Sequence, residues 1–253
     1  MDRGFYSVAA GILTGQKAVN IMSNNVANVN TAGYKSQATQ QSSFGEYLLS
    51  RISSLSNVAA NNIGTGSYMT VNSGQYTDFS QGSLEKTGRN VDMAIQGDGF
   101  FLVQSDAYGQ VLTRNGQFEI NETGNLILPG VGNVLNSNGQ PVTVNSSDFS
   151  LSFDGKILEN GVETQSLYIA NVANKNDLKE VGTGFFQTQN GFQAAGANTF
   201  TTIQGSIEKS NTDMTEEMSQ MISRQNNFQS CAQVLKIYDR INEISANQVG
   251  KVG

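Results

Sequence analysis

The chain has 253 residues, only 14 % of them charged, and its 15 basic and 21 acidic side chains give a formal net charge of −6 with neither His nor Trp present. Without His, a Ser-His-Asp triad and a His-ligated zinc site are excluded, and the side chain that most often serves as a base near neutral pH is missing. An acidic balance without basic runs argues against nucleic acid, whose phosphates require clustered Lys or Arg, and the single Cys231 can form neither an intrachain disulfide nor a Cys-based structural zinc site.

Polar mass comes instead from 28 Asn and 27 Gly. Met1-Asp2-Arg3-Gly4-Phe5 does not resemble a secretory signal, and no stretch approaches the roughly 18 apolar residues of a membrane span. A chain that stays inside the cell, or that leaves by a route without a cleaved signal, is expected. Phe5, Val8, Ile12, Gly15, Val19, Met22, Val26 and Val29 step alternately by three and four residues, which predicts a helix with one apolar seam. Between them stand mainly Ala, Gly, Ser, Asn and Gln, small neutral faces that can be touched on several sides. Asn28 to Tyr34 carries the Asn, Thr and Gly of a helix end. From there to about Asn62 a Ser/Gln-rich stretch with Phe44, Tyr47, Leu48, Ile52 and Leu55 reads as an extended or partly helical connector.

From about Tyr68 to Ile207, short apolar runs alternate with Asp98-Gly99, Asn115-Gly116, Asn138-Gly139, Asp154-Gly155, Asn160-Gly161 and Asn190-Gly191. Such pairs supply the positive φ angles of tight hairpins, so strands are expected at 92–96, 100–104, 111–114, 117–120, 126–128 and 165–171. Gly97-Asp98-Gly99 reads as a hairpin turn rather than a metal or phosphate site, because no second carboxylate cluster or strand-to-helix glycine loop accompanies it. Near the end, Asp213 with Glu216 forms a capping pattern, and Glu217 adds charge suited to a helix start. Met218, Met221, Gln225, Phe228, Ala232 and Leu235 then keep helical spacing, and Val234, Ile237, Ile241 and Ile244 continue it on a shifted stripe. A helix of about thirty residues with few neighbours in sequence needs a partner, and the N-terminal helix is the nearest.

The expected class is α+β. N- and C-terminal helices (1–33 and 211–253) form a coiled coil, a connector spans 34–67, and a hairpin-rich all-β domain spans 68–210. Each helix buries only a stripe, so lateral contacts with other copies are expected. Protease is expected to trim the chain to a core near residues 65–205.

Four segments carry a resemblance. Ser23-Asn24-Asn25-Val26-Ala27-Asn28-Val29-Asn30-Thr31-Ala32-Gly33-Tyr34-Lys35 resembles the N-terminal signature of bacterial flagellar rod and hook proteins. Asp92-Met93-Ala94-Ile95-Gln96-Gly97-Asp98-Gly99-Phe100-Phe101 is similar to the start of their β-domain, Thr113-Arg114-Asn115-Gly116-Gln117-Phe118 to the hairpin that follows, and Gly205 to Asp213, with Glu216-Glu217-Met218 and Met221-Ile222, to the lead-in and start of their last helix. In the family the residue before the signature glycine is usually Pro; here it is Ala32. The length resembles the rod members, the distal rod in particular, more than the hook members, with a proximal rod or hook subunit as the alternative within the family.

The resemblance implies a structural subunit with no cofactor and no catalysis. It would be exported by the flagellar type III apparatus without cleavage and would polymerise helically with itself and with other rod and hook proteins into the tube that carries torque across the periplasm. The implied assembly residues are Phe5, Val8, Ile12, Val19, Met22, Val26 and Val29 on the first helix and Met218, Met221, Ile222, Phe228, Leu235, Ile237, Ile241 and Ile244 on the last; Asn24, Asn25, Ala27, Asn28, Asn30, Thr31, Gly33, Tyr34 and Lys35 are the family-signature positions. On the residues alone two other classes stay open. An extracellular β-rich binding module would share the Asn/Gly hairpins without needing seams at both ends, and a hydrolase could work with carboxylates alone.

Overall fold

The computed structural model describes residues 3–43, 70–144, 149–196 and 199–249. Two helices flank a β-rich centre, an α+β arrangement, and the chain divides into two units. One comprises Met1–Ala27, Gln37–Tyr76 and Asp213–Gly253; the other comprises Asn28–Ser36 and Thr77–Thr212.

In the helical unit, α1 spans Arg3–Ala27 and α2 spans Met214–Val249. The start of α2 follows its sequence: Asp213 Oδ1 accepts hydrogen bonds from the backbone N–H groups of Thr215 and Glu216, at 2.8 and 3.2 Å, satisfying donors a helix start leaves open. The first helix ends earlier than the apolar spacing implies, so Val29 lies beyond it in the turn closed by Thr31 N–H on Asn28 O. The two helices pack antiparallel. A Cβ added to Gly11 would lie 3.4 Å from Cys231 Sγ, one added to Gly15 would lie 3.6 Å from Phe228 Cβ, and Asn25 bonds to Glu217. The line of approach on α1 therefore runs through small residues, with Ala18 and Asn25 buried, while Val8, Ile12, Val19, Met22 and Val26 are half-buried and Phe5 is exposed. Strand Gln37–Ser43 pairs with Thr70–Thr77 in the same unit. The connector's apolar group, Phe44 to Leu55, lies outside the described residues.

The β unit is built on antiparallel pairing around strand Phe100–Ser105, which bonds to Gly109–Thr113 on one side and to Gly132–Val134 and Ile169–Asn171 along the other. Its continuous apolar run has a reason. Phe101 and Val103 enter one core cluster with Met93, Ile95, Phe118 and Ile157, whereas Phe100 and Leu102 enter a second with Leu112, Leu178 and Phe186. A strand buried on both faces has no polar side to alternate with.

Two turn expectations are corrected. Asn160 and Gly161, at φ 51° and 80°, do close a two-residue hairpin between Lys156–Glu159 and Val162–Ser166. Asp98-Gly99 is instead a corner between sheets, because Met93–Gly97 pairs with Phe200–Gln204 while Phe100–Ser105 belongs to the large sheet. Gly116 has no positive φ; its backbone runs so close to Met93 O that a Cβ would fall 1.6 Å from it. The expected strand 165–171 is split between Val162–Ser166 and Ile169–Asn171, in different sheets.

The β unit reaches beyond the span 65–205 expected to resist protease. Segment 28–36 and the strand Ser206–Glu208, which pairs with Leu84–Lys86, both belong to the β unit.

Candidate functional site

Two groups of residues stand out, one in each unit. On α2 the half-buried positions Glu217, Met221, Arg224, Phe228, Cys231, Leu235 and Tyr238 step by four and three along its length, with Ala232 also half-buried beside them, and this is the stripe turned to α1. Cys231, opposite Gly11, sits in that stripe. Several expected seam residues fall elsewhere: Met218, Ile222, Val234, Ile237, Ile241 and Ile244 are exposed, Ile222 and Ile237 by 59 % and 58 %. They lie on both flanks of that stripe: Met214, Met218 and Ile222, at every fourth residue, on one side, and Val234, Ile237, Ile241 and Ile244, nearer the C-terminus, on the other. The pairings with Gly11, Gly15 and Asn25 set a register in which Arg3 faces about residue 239, so α2 runs on for about ten residues, or roughly 15 Å, past the first described residue of α1. Ile241 and Ile244 lie on that overhang.

Asn25 fixes the register from within. It is 1 % exposed, and its Nδ2 donates to Glu217 Oε1 and to Gln37 O, both at 2.8 Å, while Gln37 N–H donates to Asn25 Oδ1 at 3.0 Å. Glu217 Oε2 is shut off from solvent and has no hydrogen-bond partner among the described residues. Burial raises the Glu217 carboxyl above its usual range; the Asn25 bond opposes this and the neighbouring Glu216 charge adds to it.

In the β unit the buried carboxylate of Glu208 faces two buried cations. Lys35 Nζ donates to Glu208 Oε1 and to Ser80 O, each at 2.6 Å. Arg114 Nη1 donates to Glu208 Oε2 at 3.1 Å and to Ile95 O at 3.3 Å, and Nη2 donates to Gly97 O at 2.7 Å. Gly82 N–H completes Oε1 at 2.9 Å, and the backbone of Glu208 accepts from Gly33 N–H at 2.7 Å. The Arg114 guanidinium lies over the Phe100 ring, 5.2 Å from its centre.

Burial drives the Lys35 ammonium below its ordinary value, with Glu208 opposing and Arg114 adding to the drop; Arg114 is lowered by the same desolvation against the same counter-charge. One carboxylate thus holds two desolvated cations, and carbonyl oxygens take up several of their remaining donors. Gly33 sits at φ +67°, and a Cβ there would fall 2.2 Å from Asn115 N, so no other residue fits the turn that delivers Lys35.

Of the signature positions, Asn25, Ala32, Gly33, Tyr34 and Lys35 are buried, Asn28 and Thr31 are half-buried, and Asn24, Ala27 and Asn30 are exposed. They do not gather at one place: Asn25 serves the helical unit, and Gly33 and Lys35 serve the β unit. Glu208, Arg114 and Asn211 were not singled out by the sequence, and Glu217 only as a charge suited to a helix start, although each lies in a segment that carries the resemblance. Their signal was a charge or an amide fixed inside such a segment in a chain with few charges.

Comparisons with known proteins agree with this partition. The family model described as flagella basal body rod protein matches residues 13–35, that of the flagellar hook protein FlgE/F/G D1 domain matches 94–159, and that of the flagellar basal body rod FlgEFG protein C-terminal matches 203–249. Each matched region supplies part of the buried charge cluster: Lys35 the first, Ile95, Gly97 and Arg114 the second, Glu208 the third. Among curated proteins, the flagellar basal-body rod protein FlgG of Bacillus subtilis is 32 % identical over 95 % of this chain and 97 % of its own length. The flagellar hook-basal body complex protein FlhO of the same bacterium is 30 % identical over the whole of both chains, and the flagellar basal-body rod protein FlgF of Caulobacter vibrioides is 25 % identical over 100 % of this chain and 99 % of its own. With the order of its elements, its matched segments and its full-length relatives in agreement, the chain belongs to the flagellar basal-body rod and hook protein family.

Proposed function

We propose that this chain is a structural axial subunit of the bacterial flagellar basal-body rod, of the distal-rod kind, which joins other rod and hook proteins and polymerises helically with copies of itself. The observation that carries this reading is the apolar side chains that α2 leaves exposed on both flanks of its α1-facing stripe. The helix spends one stripe on α1 and still exposes Met218, Ile222, Ile237, Ile241 and Ile244, more apolar surface than a monomer gains by showing to water. Relatives called FlgG and FlgF support a rod member over a hook member.

On this reading the terminal helices pair as a coiled coil and line the tube, with 1–33 and 211–253 as the assembling part, 34–67 as connector and 68–210 as the projecting body. Phe5, Val8, Ile12, Val19, Met22 and Val26 on α1, and the exposed α2 residues, are the contacts between copies. The subunit leaves the cytoplasm through the flagellar type III export apparatus without a cleaved signal and takes its place where the rod crosses the periplasm. Its work is mechanical: torque passes through many repeated contacts, and no side chain turns over a substrate.

The test is genetic and visual. Cells lacking the gene should not swim, and electron micrographs of their basal bodies should show a rod that stops short, with both defects restored by the intact gene. Normal swimming with complete basal bodies would overturn the proposal.

A further inference from the structure

Both core clusters of the β unit are assembled from residues between Phe79 and Phe200. By apolar burial alone that stretch should close without its flanks. The charges say otherwise. Arg114 belongs to this stretch and is only 3 % exposed, yet its carboxylate partner, Glu208, lies 94 residues further on. Lys35 reaches the same carboxylate from 173 residues away. Around them Asn211 ties the same flanks down: Ser36 N–H donates to its Oδ1 at 2.8 Å, its Nδ2 donates to Asp78 O at 2.9 Å and to Ser80 Oγ at 3.0 Å, and Asp78 N–H donates to Ser36 O at 2.8 Å.

We propose that Glu208 is a clasp that makes closure of the β unit conditional on both of its distant flanks, so that a chain lacking either the 28–36 segment or the 205–212 segment does not complete its fold. The physical reason is the cost of a buried charge left unpaired. An ion pair taken out of water contributes little net stability when complete, but removing one partner strands the other in a medium that solvates it poorly. Before Glu208 arrives, the body must leave Arg114 in water, and that keeps Phe100, stacked beneath it, and the strand around it from settling. Long separations in sequence add loop-closure entropy to each contact, so the clasp forms late. It acts as a check that the polypeptide is whole before the body sets.

The experiment uses the full chain. Glu208→Gln keeps the size and one acceptor but removes the charge; it should lower the melting temperature of the β unit by roughly 10 °C and raise the rate of trypsin cleavage after Lys35 at least about tenfold at temperatures where the wild-type chain is uncut. The triple variant Lys35→Met, Arg114→Met, Glu208→Met removes all three charges at similar volume and should bring the melting temperature back to within a few degrees of wild type. Should Glu208→Gln fail to fold, the triple variant still decides: a folded triple variant supports the clasp, and an unfolded one contradicts it. Glu208→Gln with wild-type melting and wild-type resistance at Lys35, or a triple variant no more stable than Glu208→Gln, would overturn the proposal. None of these outcomes depends on whether the chain forms rods.

Discussion

At the scale of single residues, two positions translate directly into measurements. Glu217 holds its carboxyl pKa above the ordinary 4.5, chiefly because burial disfavours the anion. The folded helical unit then keeps a proton at pH values where the unfolded chain has released it. Stability from this group is fully present below the ordinary glutamate value and drains away as pH rises through the raised one. The helix pair should therefore melt at a higher temperature in mildly acidic buffer than at neutral pH. Glu217→Gln, which preserves the acceptor for Asn25, should flatten that dependence; circular dichroism melts across a pH series check it, and an unchanged slope would count against the assignment. Gly33 makes a second case. With φ +67° and backbone atoms of Arg114 and Asn115 within 2.6 Å of where a Cβ would stand, Gly33→Ala should cost the β unit at least about 2 kcal/mol, read as a fall in its denaturation midpoint.

At the scale of elements, the helices show what spacing in a sequence does and does not encode. The existence of both helices, the Asp213 cap and the break after the first were legible because capping residues and apolar period are local. Which stripe meets which was not. Apolar spacing on α1 marks Val8, Ile12, Val19 and Met22 with Gly15 among them, but the helices approach through Gly15 together with Gly11 and Ala18, which lie off that seam and whose small size permits close contact without any hydrophobic signal. The substitution series at Gly15 follows from this geometry. Gly15→Ala places a methyl at ordinary contact distance, 3.6 Å from Phe228 Cβ, and should leave the pair intact or strengthen it by up to about 1 kcal/mol through helix propensity. Gly15→Leu should wedge the helices apart and lower the helical melting temperature. On the opposite side of the account, Ile237→Glu with Ile241→Glu changes residues that are already exposed. Helix content and melting of the monomer should stay near wild type while incorporation into basal bodies is lost; a variant that still assembles would show that this surface is not a subunit contact.

At the scale of the molecule, the β unit was legible as strands and turns but not as topology. Asn160-Gly161 announces its hairpin locally, whereas Asp98-Gly99, chemically the same kind of signal, turns the chain from one sheet into another because its flanking strands find partners far along the sequence. The charge cluster was half visible for the same reason: Lys35, Arg114 and Glu208 each stood in a segment that carried the resemblance, but nothing local says that one carboxylate answers both cations.

The central claim is that the chain is a repeating unit of the flagellar rod whose α2 is finished by its neighbours. Cryo-electron microscopy of basal bodies isolated from the bacterium that makes this chain tests it most directly. The account predicts helically repeated density fitted by both units, with Ile237, Ile241 and Ile244 covered by adjacent copies; rods built without this chain, or built from it with that stripe facing solvent, would contradict it.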